Sequence, residues 1–322
     1  MDKFSPNLCA SNADSLREAF GKALIPLAQK NKNFVVFDAD VAGGTGSHHF
    51  RTSFPQRFFQ FGIAEQNMMS VAAGMSTLGV IPIVSTFAVF CLRAYEQIRL
   101  SVCFANRNVK IIGSHPGLDV GPDGASAQAL EDLSAFRSLP NLTVISPGDP
   151  YETAQATKAI LEHNGPVYMR TGRSPAPTVL DKDYKFEIGK AKEILDGNDV
   201  TICATGIQLS RALKASKILA DKRISARVLN VSTIKPIDTK TILKCASETG
   251  CFVTTEDHSV VGGLGGAVAE VLAKGFPVPL EINGINDTFG ESGEPEELAC
   301  KYGIGAEDIA RATIRALNRK SS

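Results

Sequence analysis

Short apolar runs recur along the chain, each followed by a longer amphipathic segment, and this alternation is the strongest constraint the sequence carries. Strands separated by helices pair side by side only through crossover connections, so the sheets are expected to be largely parallel, with helices on their faces. Residues 33–38, 58–61, 80–85, 109–113, 142–146 and 167–170 read as strands. Residues 16–29, 65–78, 92–104, 129–138 and 151–163 read as the helices among them. A polar stretch over 171–185, with Gly172, Pro175 and Pro177, reads as a linker. The alternation resumes near Ile188, with strands over 200–204, 226–231, 251–255 and 280–282 and helices over 209–220, 240–249, 265–273 and 306–318. At 322 residues there is enough chain for two cores. The expected fold class is α/β: two consecutive domains with mostly parallel sheets, residues 1–180 and 181–322.

Charge and composition remove several function classes. The 34 basic and 34 acidic residues cancel and no Lys/Arg run occurs, which argues against nucleic acid as a partner. The polar stretch over residues 1–15 has no apolar export core, and the longest apolar run, 80–92, is too short to span a bilayer. No membrane role is expected. The seven cysteines, at 9, 91, 103, 203, 245, 251 and 300, form neither a CxxC pair nor a ligand array. They read as buried free thiols of a reducing compartment, and the expected location is cytoplasmic.

The residues that could carry chemistry lie in the first half. Phe61, Gly62, Ile63, Ala64, Glu65, Gln66 and Asn67 put one carboxylate just after a strand, where a helix begins. Such a carboxylate can simply oppose the helix dipole. Buried, it can instead be held protonated and hydrogen-bond a heterocyclic nitrogen at neutral pH, as activation of a thiamine cofactor requires. Phe87 and Phe90, expected at the end of the next strand, offer aromatic faces for core packing or for a ring ligand. Arg93 follows Phe90 by three and can share its face of a helix. His115 comes directly after a strand, where α/β proteins place ligand groups. Asp123, in Gly121-Pro122-Asp123-Gly124, is either turn chemistry or a binding carboxylate. Arg17 can be simply the exposed side of the first helix. His48 and His49 suggest a metal, but adjacent histidines are expected to point apart and no acidic partner lies at ligand spacing. No metal ligand is therefore assigned to this chain. His163 reads as a helix-end residue and His258 as a loop residue.

Phe61 to Met69, Ser85 to Phe90, Arg93 to Gln97 and the Asp123 loop, in that order, resemble the transketolase family. The resemblance runs on through Thr254, Thr255, Glu256, Asp257 and His258, followed by the glycines at 262, 263 and 265. It implies a pyrimidine-binding domain followed by a transketolase C-terminal domain, with thiamine diphosphate as cofactor and transfer of a two-carbon ketol unit from a ketose to an aldose. It assigns Glu65 to the aminopyrimidine ring and Phe87, Phe90 and Arg93 to the cofactor's surroundings. It gives Arg17, His115, Asp123 and Arg173 to the sugar phosphate, the two arginines as planar forks for its terminal phosphate with Arg170 competing for the second position, and counts His115 among the catalytic groups.

The sequence departs from the family at three points. Ala127 stands where a substrate-facing histidine is usual. Thr45 stands near the place of a phosphate-contacting serine and could substitute for it. The Gly-Asp-Gly diphosphate motif is missing, and the glycines at 262–266 read as helix packing. The resemblance therefore implies the C-terminal half of a split enzyme. Its partner would be an N-terminal subunit that carries the diphosphate-binding domain and the ligands for Mg2+ or Ca2+, in an α2β2 assembly with self-association. A deoxyxylulose-phosphate synthase, a 2-oxo-acid or acetoin dehydrogenase β subunit and a non-catalytic partner subunit are the alternatives.

Overall fold

The computed structural model of the protein describes residues 13–181 and 183–320. Its strands are β1 (Asp14–Ser15), β2 (Phe34–Asp38), β3 (Phe58–Gln60), β4 (Ile81–Phe87), β5 (Lys110–Ser114), β6 (Thr143–Ile145), β7 (Val167–Thr171) and β8 (Pro175–Ala176). They continue as β9 (Lys192–Leu195), β10 (Val200–Ala204), β11 (Ala226–Asn230), β12 (Thr233–Lys235), β13 (Phe252–Ser259) and β14 (Leu280–Ile285). A seven-stranded sheet runs β12-β6-β7-β5-β4-β2-β3, parallel except for β12. A five-stranded sheet runs β14-β13-β10-β11-β9, parallel except for β9. The two α/β domains with mostly parallel sheets are those the alternation implies. Val36, Ile83, Ile111, Ile112, Val167, Val200, Ile202 and Val228 are all buried, as strands covered by helices on both faces require.

Four local features differ from the sequence reading. The expected helix over 92–104 is three pieces: Ala88–Arg93, Tyr95–Gln97 and a π-helical turn over Ile98–Phe104. The break falls at Ala94, whose buried backbone leaves helical geometry. Phe90 therefore sits on a helix and not at a strand end. The helix expected from residue 129 begins only at Asp132, because the Ala129 and Leu130 carbonyls are taken by Gly117 and Ser259 N–H groups. Residues 171–185 are no solvated linker. β8 pairs with β1, Val179, Leu180 and Tyr184 are buried, and Asp149 Oδ2 accepts the N–H groups of Val179 and Leu180 at 2.9 and 2.8 Å. His258 lies buried on β13 and not in a loop.

Five cysteines, 91, 103, 203, 245 and 251, are buried free thiols, whereas Cys300 is exposed; Cys9 lies outside the described residues. Among those residues no helix is long and apolar enough to cross a membrane.

Candidate active site

Glu65 opens the helix Glu65–Ser76 and is only 2% exposed. The turn that delivers it is pinned by Gln60, whose Oε1 accepts from Asp40 N and Gly62 N at 2.9 Å and whose Nε2 donates to Asp38 at 2.9 Å. Gly62 supplies the positive φ of +67°, and the space where its side chain would be is open. Glu65 Oε2 has no hydrogen-bond partner. Its nearest cation is Arg93 Nη1 at 3.7 Å, on a side chain 62% exposed. A buried, unpartnered carboxylate oxygen beside an open glycine and an exposed guanidinium is costly unless something docks there.

A second cluster lies where β4, β5 and β7 end. Phe87 stacks on Phe90, with centroids 5.4 Å apart, and on His115 at 3.8 Å. Gly44 leaves room for this stack, since a Cβ there would stand 2.7 Å from the Phe87 ring. Phe87 therefore packs against protein rings, and both Phe87 and Phe90 are half-buried. His115 has φ +58° and is buried. Burial, reinforced by the charges of Arg17 and Arg173, pushes its pKa down to about 3. Its ring is neutral at pH 7. Ser114 Oγ lies 2.8 Å from His115 Nδ1 and 3.3 Å from the Gly44 carbonyl.

The two arginines frame this histidine. Arg17 Nη1 donates to the Gly44 carbonyl at 2.9 Å while its buried Nε has no partner. Arg173 Nη1 donates to the Val120 carbonyl at 2.6 Å and Nη2 lies 3.3 Å from Asp123 Oδ1. Asp119, which the sequence reading missed, holds Arg173 in place by accepting its N–H at 2.8 Å and that of Ser174 at 3.0 Å. Asp119 is in turn fixed from the second domain, because Asp257 accepts the N–H groups of Leu118 and Asp119 at 2.8 and 3.1 Å.

Several expectations are corrected. Thr45 is fully buried with its hydroxyl on Ser47 and the Ala42 carbonyl, so it cannot stand in for a ligand-facing serine. Arg170 is engaged by buried Asp132, so its guanidinium is not free for an oxyanion. The rings of His48 and His49 do not point apart: their centroids are 4.0 Å apart and Glu18, distant in sequence, is 2.7 Å from His49. Beside Ala127, Gln128 is buried and donates to the Glu291 carbonyl at 2.9 Å, with its own Oε1 unpartnered. Of the glycines at 262–266, Gly265 serves helix packing, while the space beside Gly266 is open. Glu256 accepts from Leu264 N and Gly265 N, and a Cβ on Gly265 would press on Ile282 at 2.4 Å. A cavity of about 660 Å³ opens between Arg137, Lys235 and Glu270 and includes none of the candidate residues.

Two α/β domains thus carry a buried glutamate, one oxygen without a hydrogen bond, at an open edge. Residues 13–178 match the transketolase pyrimidine-binding domain and residues 189–309 the transketolase C-terminal domain. The chain belongs to the transketolase family. It is 44% identical to a putative transketolase C-terminal section of Methanocaldococcus jannaschii, over 95% of this chain and 97% of that one. It is 41% identical to a 6-deoxy-6-sulfo-D-fructose transketolase subunit of a Clostridium species, over 95% of each chain. A solved split-gene transketolase, described as an inactive beta4 tetramer, superposes with a TM-score of 0.89 at 48% identity, covering 95% of this chain and 99% of its own. The chain is thus the C-terminal, β-type subunit of a split thiamine-diphosphate-dependent transketolase.

Proposed function

We propose that Glu65 receives the pyrimidine ring of thiamine diphosphate, with Phe90 against the ring, Phe87 behind it and Arg93 at its edge. The observation that carries this reading is the buried Glu65 Oε2 without a hydrogen-bond partner, at an edge left open by Gly62. When bound, the cofactor supplies the carbon centre that carries a two-carbon ketol unit from a ketose to an aldose. This chain's residues orient and bind. Arg17 and Arg173 take the terminal phosphate or a like oxyanion of the sugar, Asp123 a sugar hydroxyl, and neutral His115 a substrate oxygen as a hydrogen-bond partner. The N-terminal partner subunit brings the diphosphate site with Mg2+ or Ca2+, and the pair assembles as α2β2 in the cytoplasm. The domain division falls after residue 180.

The test mixes this chain with its N-terminal partner and follows thiamine diphosphate binding by calorimetry and ketose formation from a sugar-phosphate donor. Glu65→Gln should remove nearly all turnover while leaving the melting temperature close to the parent's. Turnover near the parent level in that variant would rule the assignment out.

A further inference from the structure

We propose that Glu18, His48 and His49 form a binding site for one divalent transition-metal ion of the zinc class. The three side chains come from two elements, the first turn of the helix Leu16–Lys30 and the helix His48–Ser53. One ligand atom from each lies within 4.8 Å of the others, and all three residues are half-buried.

The frame around the cluster is stiff. A Cβ on Gly21 would stand 2.1 Å from the Gly46 carbonyl oxygen, and one on Gly46 would stand 2.2 Å from that of Arg17. Only glycines allow the two backbones to meet so closely, and that contact brings the histidine pair up to Glu18. His48 Nδ1 faces the Ala42 carbonyl at 3.4 Å, an outer-shell acceptor that leaves Nε2 with its lone pair. His49 Nε2 faces Glu18 Oε2 at 2.7 Å, and the two imidazole rings lie with centroids 4.0 Å apart, tilted by 35°.

Two imidazoles and one carboxylate are a nitrogen/oxygen donor set that suits zinc, with a water completing the shell at the exposed side. It is a poor match for Mg2+ or Ca2+, which take oxygen ligands. The site is therefore separate in chemistry from the metal expected on the partner subunit, and it does not depend on the proposed ketol transfer. A hydrogen bond between His49 and Glu18 would account for those two residues alone. It gives no reason for His48 to lie against His49 with its own ring nitrogen aligned on a carbonyl.

The experiment titrates the full-length, metal-stripped chain with zinc chloride in a calorimeter and with Co2+ in a spectrophotometer. One ion per chain is expected, with visible Co2+ bands of low coordination number. His48→Ala, His49→Ala and Glu18→Gln should each weaken binding on the order of tenfold or more, since even outer-shell losses cost that much. Cys300→Ser should leave it unchanged, which removes the exposed thiol as the source. His48→Ala is decisive because His48 stands outside the His49–Glu18 hydrogen bond. Melting curves with and without zinc should separate for the parent chain and separate less for His48→Ala. Absence of stoichiometric uptake, or uptake indifferent to all three substitutions, overturns the site.

Discussion

Two arginine–carboxylate pairs in this protein have opposite characters. Arg170 and Asp132 are buried together beneath the junction of the domains. Arg170 Nε donates to Asp132 Oδ2 at 2.8 Å, a second bond joins Nη2 to Oδ1, and the Tyr168 hydroxyl donates to Oδ2 at 2.6 Å. The remaining arm of Arg170 reaches the Asp257 carbonyl of the second domain at 3.0 Å. Burial pushes Asp132 up, but the charge and hydrogen bonds of Arg170 more than reverse this and hold it below the ordinary carboxylate range. Arg93 and Glu65, by contrast, meet at 3.7 Å with the arginine mostly in solvent and one carboxylate oxygen unbonded. A saturated pair belongs to the architecture. A pair left unsaturated at an edge is what the proposed cofactor role calls for.

The sharpest way to break this contrast is to delete one arginine from each pair. Arg170→Ala strands the Asp132 charge in the interior and should cost about 3–5 kcal/mol of unfolding free energy. Arg93→Ala removes an exposed, long contact and should cost less than about 1 kcal/mol, with its effect appearing in cofactor binding. Urea unfolding of both variants beside the parent measures the difference. Equal costs would show that the edge pair is structural after all.

A smaller effect is expected at Asp257, where the buried clasp of Arg170 and Asp132 with Glu256, Asp257 and His258 of the second domain meets the site. Asp257→Asn keeps one acceptor for Leu118 and Asp119 but turns an amide N–H toward the other backbone N–H. The loss of one buried bond should cost about 1–3 kcal/mol. Because Asp119 then holds Arg173 less firmly, KM for a sugar phosphate should rise more than kcat falls. Steady-state kinetics of the assembled pair checks this, and an unchanged KM would detach the second domain from the site.

The edge was readable in the sequence and the clasp was not. Glu65 could be placed because its neighbours form a compact local pattern after a short strand, and the strand–helix alternation carried both parallel sheets. Partners in the clasp are far apart along the chain: 38 residues separate Arg170 from Asp132, and 139 separate Asp257 from Leu118. No spacing rule reaches across such gaps. Likewise, β12 is three residues long and joins the first domain's sheet from the second half, and β9 mixes Lys192 and Glu193 with Ile194 and Leu195. Neither run is long enough to show a period. Phe87 and Phe90 were recognised, but their separation onto a strand and a helix depends on where the chain turns. Glu18 was assigned no role because helix packing, not sequence distance, brings it to the histidines.

The subtlest difference between the two regions concerns protons. In the cluster beside the edge, His115 is pushed down to about 3, so its charge does not change across neutral pH. Inside the clasp, Glu256 and His258 lie 3.6 Å apart and are shifted in opposite directions. Burial raises Glu256 to about 7 against the pull of the Gly265 and Leu264 N–H groups. Burial, with the charge of Arg170, lowers His258 to about 4. The raised glutamate contributes stability that is full below its unfolded value near 4.5 and lost as pH climbs to about 7. The lowered histidine contributes stability that is full above its unfolded value near 6.5 and lost as pH falls to about 4. Between these unfolded values the two slopes oppose each other, so the pair as a whole adds little pH dependence. Substituting one member exposes the other. In Glu256→Gln, stability relative to the parent should improve as pH rises through this window; in His258→Gln, it should worsen. The double variant should run nearly parallel to the parent, a result that chemical unfolding at a series of pH values can test directly. Parallel curves for both single variants would mean that neither group changes its proton affinity on folding, and that the clasp is as silent to pH as His115.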